Sequence, residues 1–241
     1  FITNNIVIKM AKKQSGSHQA PEQLEAFESA LTKTEKFIED NQKLITIVVL
    51  VIVGAVAIYL GFKRFYLGPL NQEAQSQMFM AERYFERDSF DLALYGDGNY
   101  FGFIDIIEEY GITKSGNLAN YYAGISYLHL RDFESAIDYL KDFNRKGQLV
   151  GAVSYGAIGD AYNGLEEHED AVDYYMDAAG YNENKFTTPL YLMKAGKTYE
   201  ILGEYEKALE VYNKIKEVYP ESSEGREIDK YITRAEIKST Y

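Results

Sequence analysis

No cysteine occurs anywhere in the 241 residues. Disulfides, thiolate metal sites and cysteine nucleophiles are therefore excluded. Tryptophan is also absent, and there are only 4 prolines and 3 histidines. Scarce proline favours long uninterrupted helices, since an internal proline removes a backbone donor. The histidines, His18, His129 and His168, share no metal-binding spacing with another ligand. No nucleophile elbow, phosphate loop or paired-carboxylate cleft is recognisable. The expectation is a chain that is not an enzyme and has no cofactor, metal or small-molecule substrate.

What is abundant is tyrosine, 22 residues, with 13 Phe and a hydrophobic share of 46%, enough for a sizeable core. Tyrosine fills space while keeping one polar end, which suits seams between helices and half-exposed grooves. Charge is unevenly placed. Residues 1–66 hold 8 Lys/Arg against 6 Asp/Glu, whereas residues 67–241 hold 17 against 31. A domain that acidic repels phosphate backbones, so nucleic acid is not an expected partner. Its charge serves solubility or faces a basic partner. Pairs such as Glu108-Glu109 and Glu166-Glu167 read as solvated helix faces.

Residues 10–13, MAKK, look like a normal start, so residues 1–9 are expected to be an over-extended translation. Residues 14–20 are polar and expected to be disordered. From Pro21 a helical pattern opens, with Leu24, Phe27, Leu31 and Ile38 on one face, suited to a membrane surface, a partner or a lead-in. Residues 44–62 then read LITIVVLVIVGAVAIYLGF, without a charge. Nineteen residues at ~1.5 Å each span roughly 28 Å, close to the ~30 Å hydrocarbon core of a bilayer. This stretch reads as an uncleaved signal anchor, because it starts far from the N-terminus and no small-x-small site closes it. Lys12, Lys13, Lys33, Lys36 and Lys43 precede it and Lys63 and Arg64 follow. That balance favours a cytoplasmic N-terminus and a periplasmic C-terminal domain.

A repeat follows. Counted from Gly196, Tyr199, Tyr205, Ala208, Tyr212 and Pro220 fall at offsets 3, 9, 12, 16 and 24. From Gly159 the first four offsets hold Tyr162, His168, Ala171 and Tyr175, and from Gly124 they hold Tyr127, Phe133, Ala136 and Leu140. His168 takes an aromatic position and is expected to pack. From Ala81 the pattern gives Tyr84, Phe90 and Ala93 and then breaks at Asp97. The origins lie 35 and 37 residues apart. The spacing and the run Tyr155, Ile158, Gly159, Tyr162, Ala171, Tyr175 resemble the 34-residue tetratricopeptide repeat, as do Leu192, Gly196, Tyr199, Ala208, Tyr212 and Pro220. The resemblance implies an all-α fold: an N-terminal transmembrane helix, then a right-handed tetratricopeptide (TPR) α-solenoid with a C-terminal capping helix. Small residues at the origin and twelve on let paired helices approach, and aromatics fill the seams. Gly203 ends a first helix and Pro220 stops a second. The expected organisation is a cytoplasmic tail at 1–43, the anchor at 44–62, a linker at 63–71, about four repeats at 72–222 and a cap at 223–241. Residues 95–103, YGDGNYFGF, interrupt the first unit, and its second helix is expected to break there and resume near Ile104. In the cap, Ile228, Tyr231, Ile232 and Ala235 are expected to turn inward.

In TPR arrays the first helix of each hairpin lines a groove. By resemblance the lining here is Met78, Glu82 and Phe85 in unit one and Tyr121, Ile125 and Leu128 in unit two. Units three and four contribute Asp160 and Asn163, and Met193, Lys197 and Glu200. The mixture suits an extended or partly unfolded peptide. Some relatives clamp a terminal carboxylate with Lys, Arg and Asn. The matching positions here hold Val153, Gly156 and Asp160, or Leu118, Tyr121 and Ile125, so that clamp is missing. The loop at 97–99 lacks the spaced oxygen ligands of a calcium site and reads as a turn. Tyr100, Phe101 and Phe103 are costly to expose, which makes the loop a candidate partner contact.

The layout from Met10 to Tyr241 resembles the YfgM-like family: a short cytoplasmic tail, one signal anchor and a periplasmic TPR domain. Tyrosine abundance with the Gly-rich insertion resembles homologues from Bacteroidota. That resemblance implies a bacterial inner-membrane protein beside the Sec translocon, with translocon subunits, periplasmic chaperones or unfolded secretory clients as partners. The alternatives are a scaffold subunit of a cell-envelope assembly complex, or a cytosol-facing regulatory domain if the orientation is reversed.

Overall fold

The computed structural model describes residues 37, 39–145 and 148–240. Residues 1–36 and 38, including the expected helical face at Leu24, Phe27, Leu31 and Ile38, lie outside the described residues. The chain divides into two units, Phe1–Lys63 and Arg64–Tyr241.

In the first unit, α1 spans Gln42–Gly61, 20 residues with none buried. At ~1.5 Å per residue it is about 30 Å long, a bilayer's hydrocarbon thickness. Its apolar window has a mean hydropathy of 2.8, and among the described residues this is the one stretch of helix long and apolar enough to cross a membrane. Residues 63–71, expected as a linker, are helical. Phe62–Leu67 form a π-helical segment, and α2 begins at Gly68. Pro69 comes just after the π-helical segment, where its missing N–H leaves the preceding turn without its usual bond.

The second unit is a stack of helices: α2 (Gly68–Phe85), α3 (Phe90–Tyr95), α4 (Phe103–Tyr110), α5 (Lys114–Leu130), α6 (Phe133–Asp142), α7 (Gln148–Gly164), α8 (His168–Gly180), α9 (Thr187–Leu202), α10 (Tyr205–Val218) and α11 (Ser223–Ser239). Hairpin partners are α5 with α6, α7 with α8 and α9 with α10, while α2 pairs with the broken helix α3–α4. First helices touch one another in the series α2, α5, α7, α9, α11. Among the described residues α6, α8 and α10 do not. The stack therefore closes on the side of its first helices and opens on the other, and the first helices form the inner wall.

One register explains the packing. A Cβ added at Gly124, Gly159 or Gly196 would run into Leu140, Tyr175 or Tyr212, in each case the residue sixteen positions on. Only hydrogen at the origin lets that side chain cross between the two helices of the hairpin. The turns repeat as well. Asp88, Arg131, Glu166 and Gly203, each seven residues past an origin, all adopt the left-handed conformation, with φ of 56°, 65°, 64° and 77°. The next residue's N–H bonds back to the carbonyl of Tyr84, Tyr127, Tyr162 or Tyr199 at 2.9–3.0 Å, closing the helix ends.

The first unit departs where its glycines fall. Helix α3 stops at Tyr95, and Gly96 and Gly98 take φ of 71° and 84°. Asp97 Oδ1 accepts the backbone N–H of Asn99 and Tyr100, both at 2.9 Å, and Oδ2 accepts the Tyr84 hydroxyl at 2.9 Å. Those bonds, led by Asn99, hold the Asp97 carboxyl below the usual carboxylate range. Gly102 lies so close to the Leu94 carbonyl that no Cβ would fit, and from there α4 restarts at Phe103. At the far end, Ser222 caps α11 by accepting the Gly225 N–H at 2.9 Å. Ile228, Ile232 and Ala235 of α11 are buried in a core shared with Val211 and Ile215 of α10, and Tyr231 is partly buried against it.

Candidate protein-binding groove

The inner wall is uneven along its length. At the N-terminal end, Glu82 is half-buried and makes no ion pair among the described residues. Burial first, and then the charge of Glu86 one turn on, push its pKa up from the ordinary 4.5. Phe85 packs edge-on to Phe90, Phe103 and Tyr122, with ring centroids at 5.6, 6.3 and 5.0 Å. In the middle, Tyr121, Ile125 and Leu128 of α5 are each half-exposed against the core. Tyr121 leans on Tyr122 and Phe143 at 5.6 and 5.5 Å. Burial raises its hydroxyl pKa, so it stays a neutral donor and acceptor.

Toward the C-terminal end the wall is held by two polar clusters. Asp160 of α7 receives the Lys194 ammonium of α9 at 2.6 and 2.7 Å and the Tyr175 hydroxyl of α8 at 2.7 Å. Lys194 also lies over the rings of Tyr175 and Tyr191 at 5.6 and 5.9 Å. Tyr191 covers Gly156, so the groove position that Gly156 would open is filled by a ring. Burial, then the charge of Asp160, push both tyrosine hydroxyls far above their usual pKa. The second cluster centres on Glu200 of α9, whose side chain is 6% exposed. It accepts from the Tyr212 hydroxyl at 2.7 Å and from two Arg234 nitrogens at 2.8 and 2.6 Å. Each ion pair joins residues 34 apart, about one repeat, so each staples neighbouring units together.

Several expected lining residues are corrected by these contacts. Met78 is 3% exposed and belongs to the core, because α5 packs over α2. Glu200 is closed off by Tyr212 and Arg234. Met193, 6% exposed, shows only an edge to a cavity of about 300 Å³ between α9 and α11, shared with Leu190, Lys197, Glu227 and Tyr231. Phe103 is fully buried, stacked on Tyr122 at 5.1 Å, and Phe101 packs on the same core. Of Tyr100, Phe101 and Phe103 only Tyr100 remains exposed, at 50%. Asn163 holds His168 across the α7–α8 turn at 2.9 Å. Lys197 stays accessible, its ammonium 5.1 Å from the Tyr231 ring centre.

The expected lining residues that stay accessible on this wall thus include Glu82, then Tyr121, Ile125 and Leu128, then Asp160 with its partners, then Lys197. Lys194, Tyr191, Tyr231 and Arg234 belong to this wall and carried no sequence signal as groove residues. They sit off the origin-based offsets and matter only through the neighbouring unit.

Tetratricopeptide repeat families match residues 152–185 and 191–222, which are the third and fourth hairpins. Among solved structures, the nearly identical TPR-like repeats of a Podosopora anserina kinesin light chain are similar with a TM-score of 0.54 at 13% identity, over 70% of this chain and 88% of that one. The MamA protein is similar with a TM-score of 0.50 at 20% identity, over 69% of this chain and 92% of that one. No curated protein matches the chain. The chain carries TPR repeats in an all-helical, solenoid-like fold, and such repeats, typically non-catalytic scaffolds, indicate a role as an adaptor for protein–protein interaction.

Proposed function

We propose that the chain is a membrane-tethered adaptor whose groove receives extended segments of other proteins, and that it serves secretory polypeptides at the Sec translocon of a bacterial inner membrane. The observation that carries the groove reading is the row Tyr121, Ile125 and Leu128, left half-exposed on the inner wall where TPR stacks present ligands. Apolar faces of this kind accept side chains of an extended peptide, while the flanking polar groups set its register. The bare apolar surface of α1 supports the tether. Tethering raises local concentration, so modest affinity per contact suffices. The translocon assignment, the periplasmic side and the hand-over to chaperones rest on the resemblance of the layout to the YfgM-like family.

A photo-crosslinking residue at Tyr121 or Leu128 in intact membranes tests the reading. Translocon subunits or nascent secretory chains are the expected captures, and capture of neither would remove the assignment. A reporter fused after Tyr241 and active only in the periplasm tests the orientation. The rigid, internally paired C-terminal half of the groove favours a second reading, a scaffold subunit of an envelope complex. Purification in mild detergent separates the two, since a scaffold retains one stoichiometric partner and an adaptor retains several in small amounts.

A further inference from the structure

At one edge of the fourth hairpin an apolar knob stands beside an apolar hollow. The knob is Phe186, 83% exposed. Its turn is held firmly. Asn184 Oδ1 accepts the backbone N–H of Phe186 at 2.8 Å and of Thr187 at 2.9 Å, and its Nδ2 donates to the Thr187 hydroxyl at 2.6 Å. The Thr188 hydroxyl accepts the Asn184 N–H and donates to the Ala179 carbonyl, both at 3.0 Å. A bulky ring on so constrained a turn is pre-organised for contact, and little backbone freedom is lost when it docks. The hollow has a volume of about 530 Å³ and is walled by Phe186, Val218, Tyr219 and Pro220. Val218 is itself 56% exposed. A contiguous bare apolar surface next to an empty recess marks an interaction site.

The charges around it select the occupant. Lys185, next to the knob, lines the hollow and makes no ion pair among the described residues. Glu221 and Glu224, on the turn between α10 and α11, line it too. Glu221 is 93% exposed and among the described residues pairs only with Arg226, at 4.0 Å. This surface carries a knob and a socket, a cation and carboxylates. A partner of one charge sign would satisfy half of it. A copy related by a two-fold axis supplies both signs at once, with the Lys185–Glu221 contact made twice. We propose that this surface seats a second copy of the chain, Phe186 of each copy entering the other's hollow and Lys185 facing Glu221. This goes beyond the groove reading and stands apart from it, since Lys185, Phe186, Val218 and Glu221 do not line the cavity on the inner wall, which Glu224 alone among the named residues also borders.

The absence of cysteine makes a clean test. Two differently tagged full-length chains, one carrying Phe186→Cys and the other Val218→Cys, are co-expressed and oxidised in native membranes. A mixed disulfide is the expected product. Replacing the second chain by one carrying Leu92→Cys, an exposed site on α3, should give none. Native mass spectrometry of the full chain released from detergent should show a dimer. Phe186→Asp should raise its dissociation constant by about 30-fold or more, the scale of a central interface residue. Lys185→Glu should weaken it as well, and adding Glu221→Lys to that chain should restore it. Phe186 is exposed, so its replacement leaves the fold intact by circular dichroism. A single-copy mass with no mixed disulfide overturns the proposal. So does a dimer indifferent to Phe186→Asp, or crosslinking of the Phe186→Cys chain to a different protein alone.

Discussion

Gly196 shows how little room a single position has. The Tyr212 ring lies where its Cβ would be, and that ring is fully buried with its hydroxyl bonded to Glu200. Gly196→Ala must push a buried aromatic off a buried carboxylate. A loss of about 1–3 kcal/mol is expected, as for other overpacked cores. Chemical denaturation measures it, and an unchanged midpoint would mean the seam is looser than the contacts imply. Glu82 gives a prediction of opposite sign. Its pKa lies above the ordinary 4.5, so the folded state holds its proton more tightly than the unfolded chain. Its contribution favours the fold below pH 4.5 and is lost as pH rises through the raised value. At pH 7, Glu82→Gln should therefore raise the Tm slightly, since it relieves a half-buried charge and then its repulsion from Glu86, the latter worth roughly 0.2–0.5 kcal/mol. Melts at pH 7 and near pH 4.5 check this, since the advantage of the variant should shrink at the lower pH.

The four left-handed turns are the shared device at the scale of the element. Gly203 adopts its φ of 77° freely, whereas Asp88, Arg131 and Glu166 hold side chains in a conformation that L-residues avoid. Arg131 and Glu166 are exposed, so their side chains add little in return. Arg131→Gly and Glu166→Gly should each stabilise the protein, by up to about 1 kcal/mol, while Gly203→Ala should destabilise it. Denaturant midpoints of the three variants decide this, and a loss in both glycine variants would show that these turns are held by something other than backbone conformation. The turn position was legible in sequence at Gly203 alone. Asp88, Arg131 and Glu166 gave no composition signal, because the hydrogen bonds to Tyr84, Tyr127 and Tyr162 enforce the conformation without glycine. The break between α3 and α4, in contrast, was readable from the glycines at 96, 98 and 102, each of which has a backbone reason to lack a side chain or a φ that favours glycine.

For the whole molecule, each hairpin depends on the next. Helix α10 buries Val211 and Ile215 in a core completed by Ile228, Ile232 and Ala235 of α11. Removing residues 223–241 strips that face and also frees Glu200 from Arg234. The loss of that ion pair is added to the lost apolar burial. The shortened chain should lose helix and expose the fourth hairpin to protease, whereas the full chain is cut there slowly. Limited proteolysis followed by mass mapping shows the difference, and equal cutting of both chains would mean the cap contributes little.

Several properties follow from sequence alone. The uncharged stretch at 44–62 sets the length of the apolar helix, and the offsets from Gly124, Gly159 and Gly196 set the pairing of helices within each hairpin. These are local or strictly periodic relations, so a linear chain displays them. Accessibility is different. Met78, Phe103 and Glu200 look like candidates for contact until α5, Tyr122 and Arg234 close over them. Asp160 looks like a free acid until Lys194 arrives from 34 residues away. Which face of a helix stays open depends on side chains delivered by the neighbouring unit, and only the stacked structure brings those together.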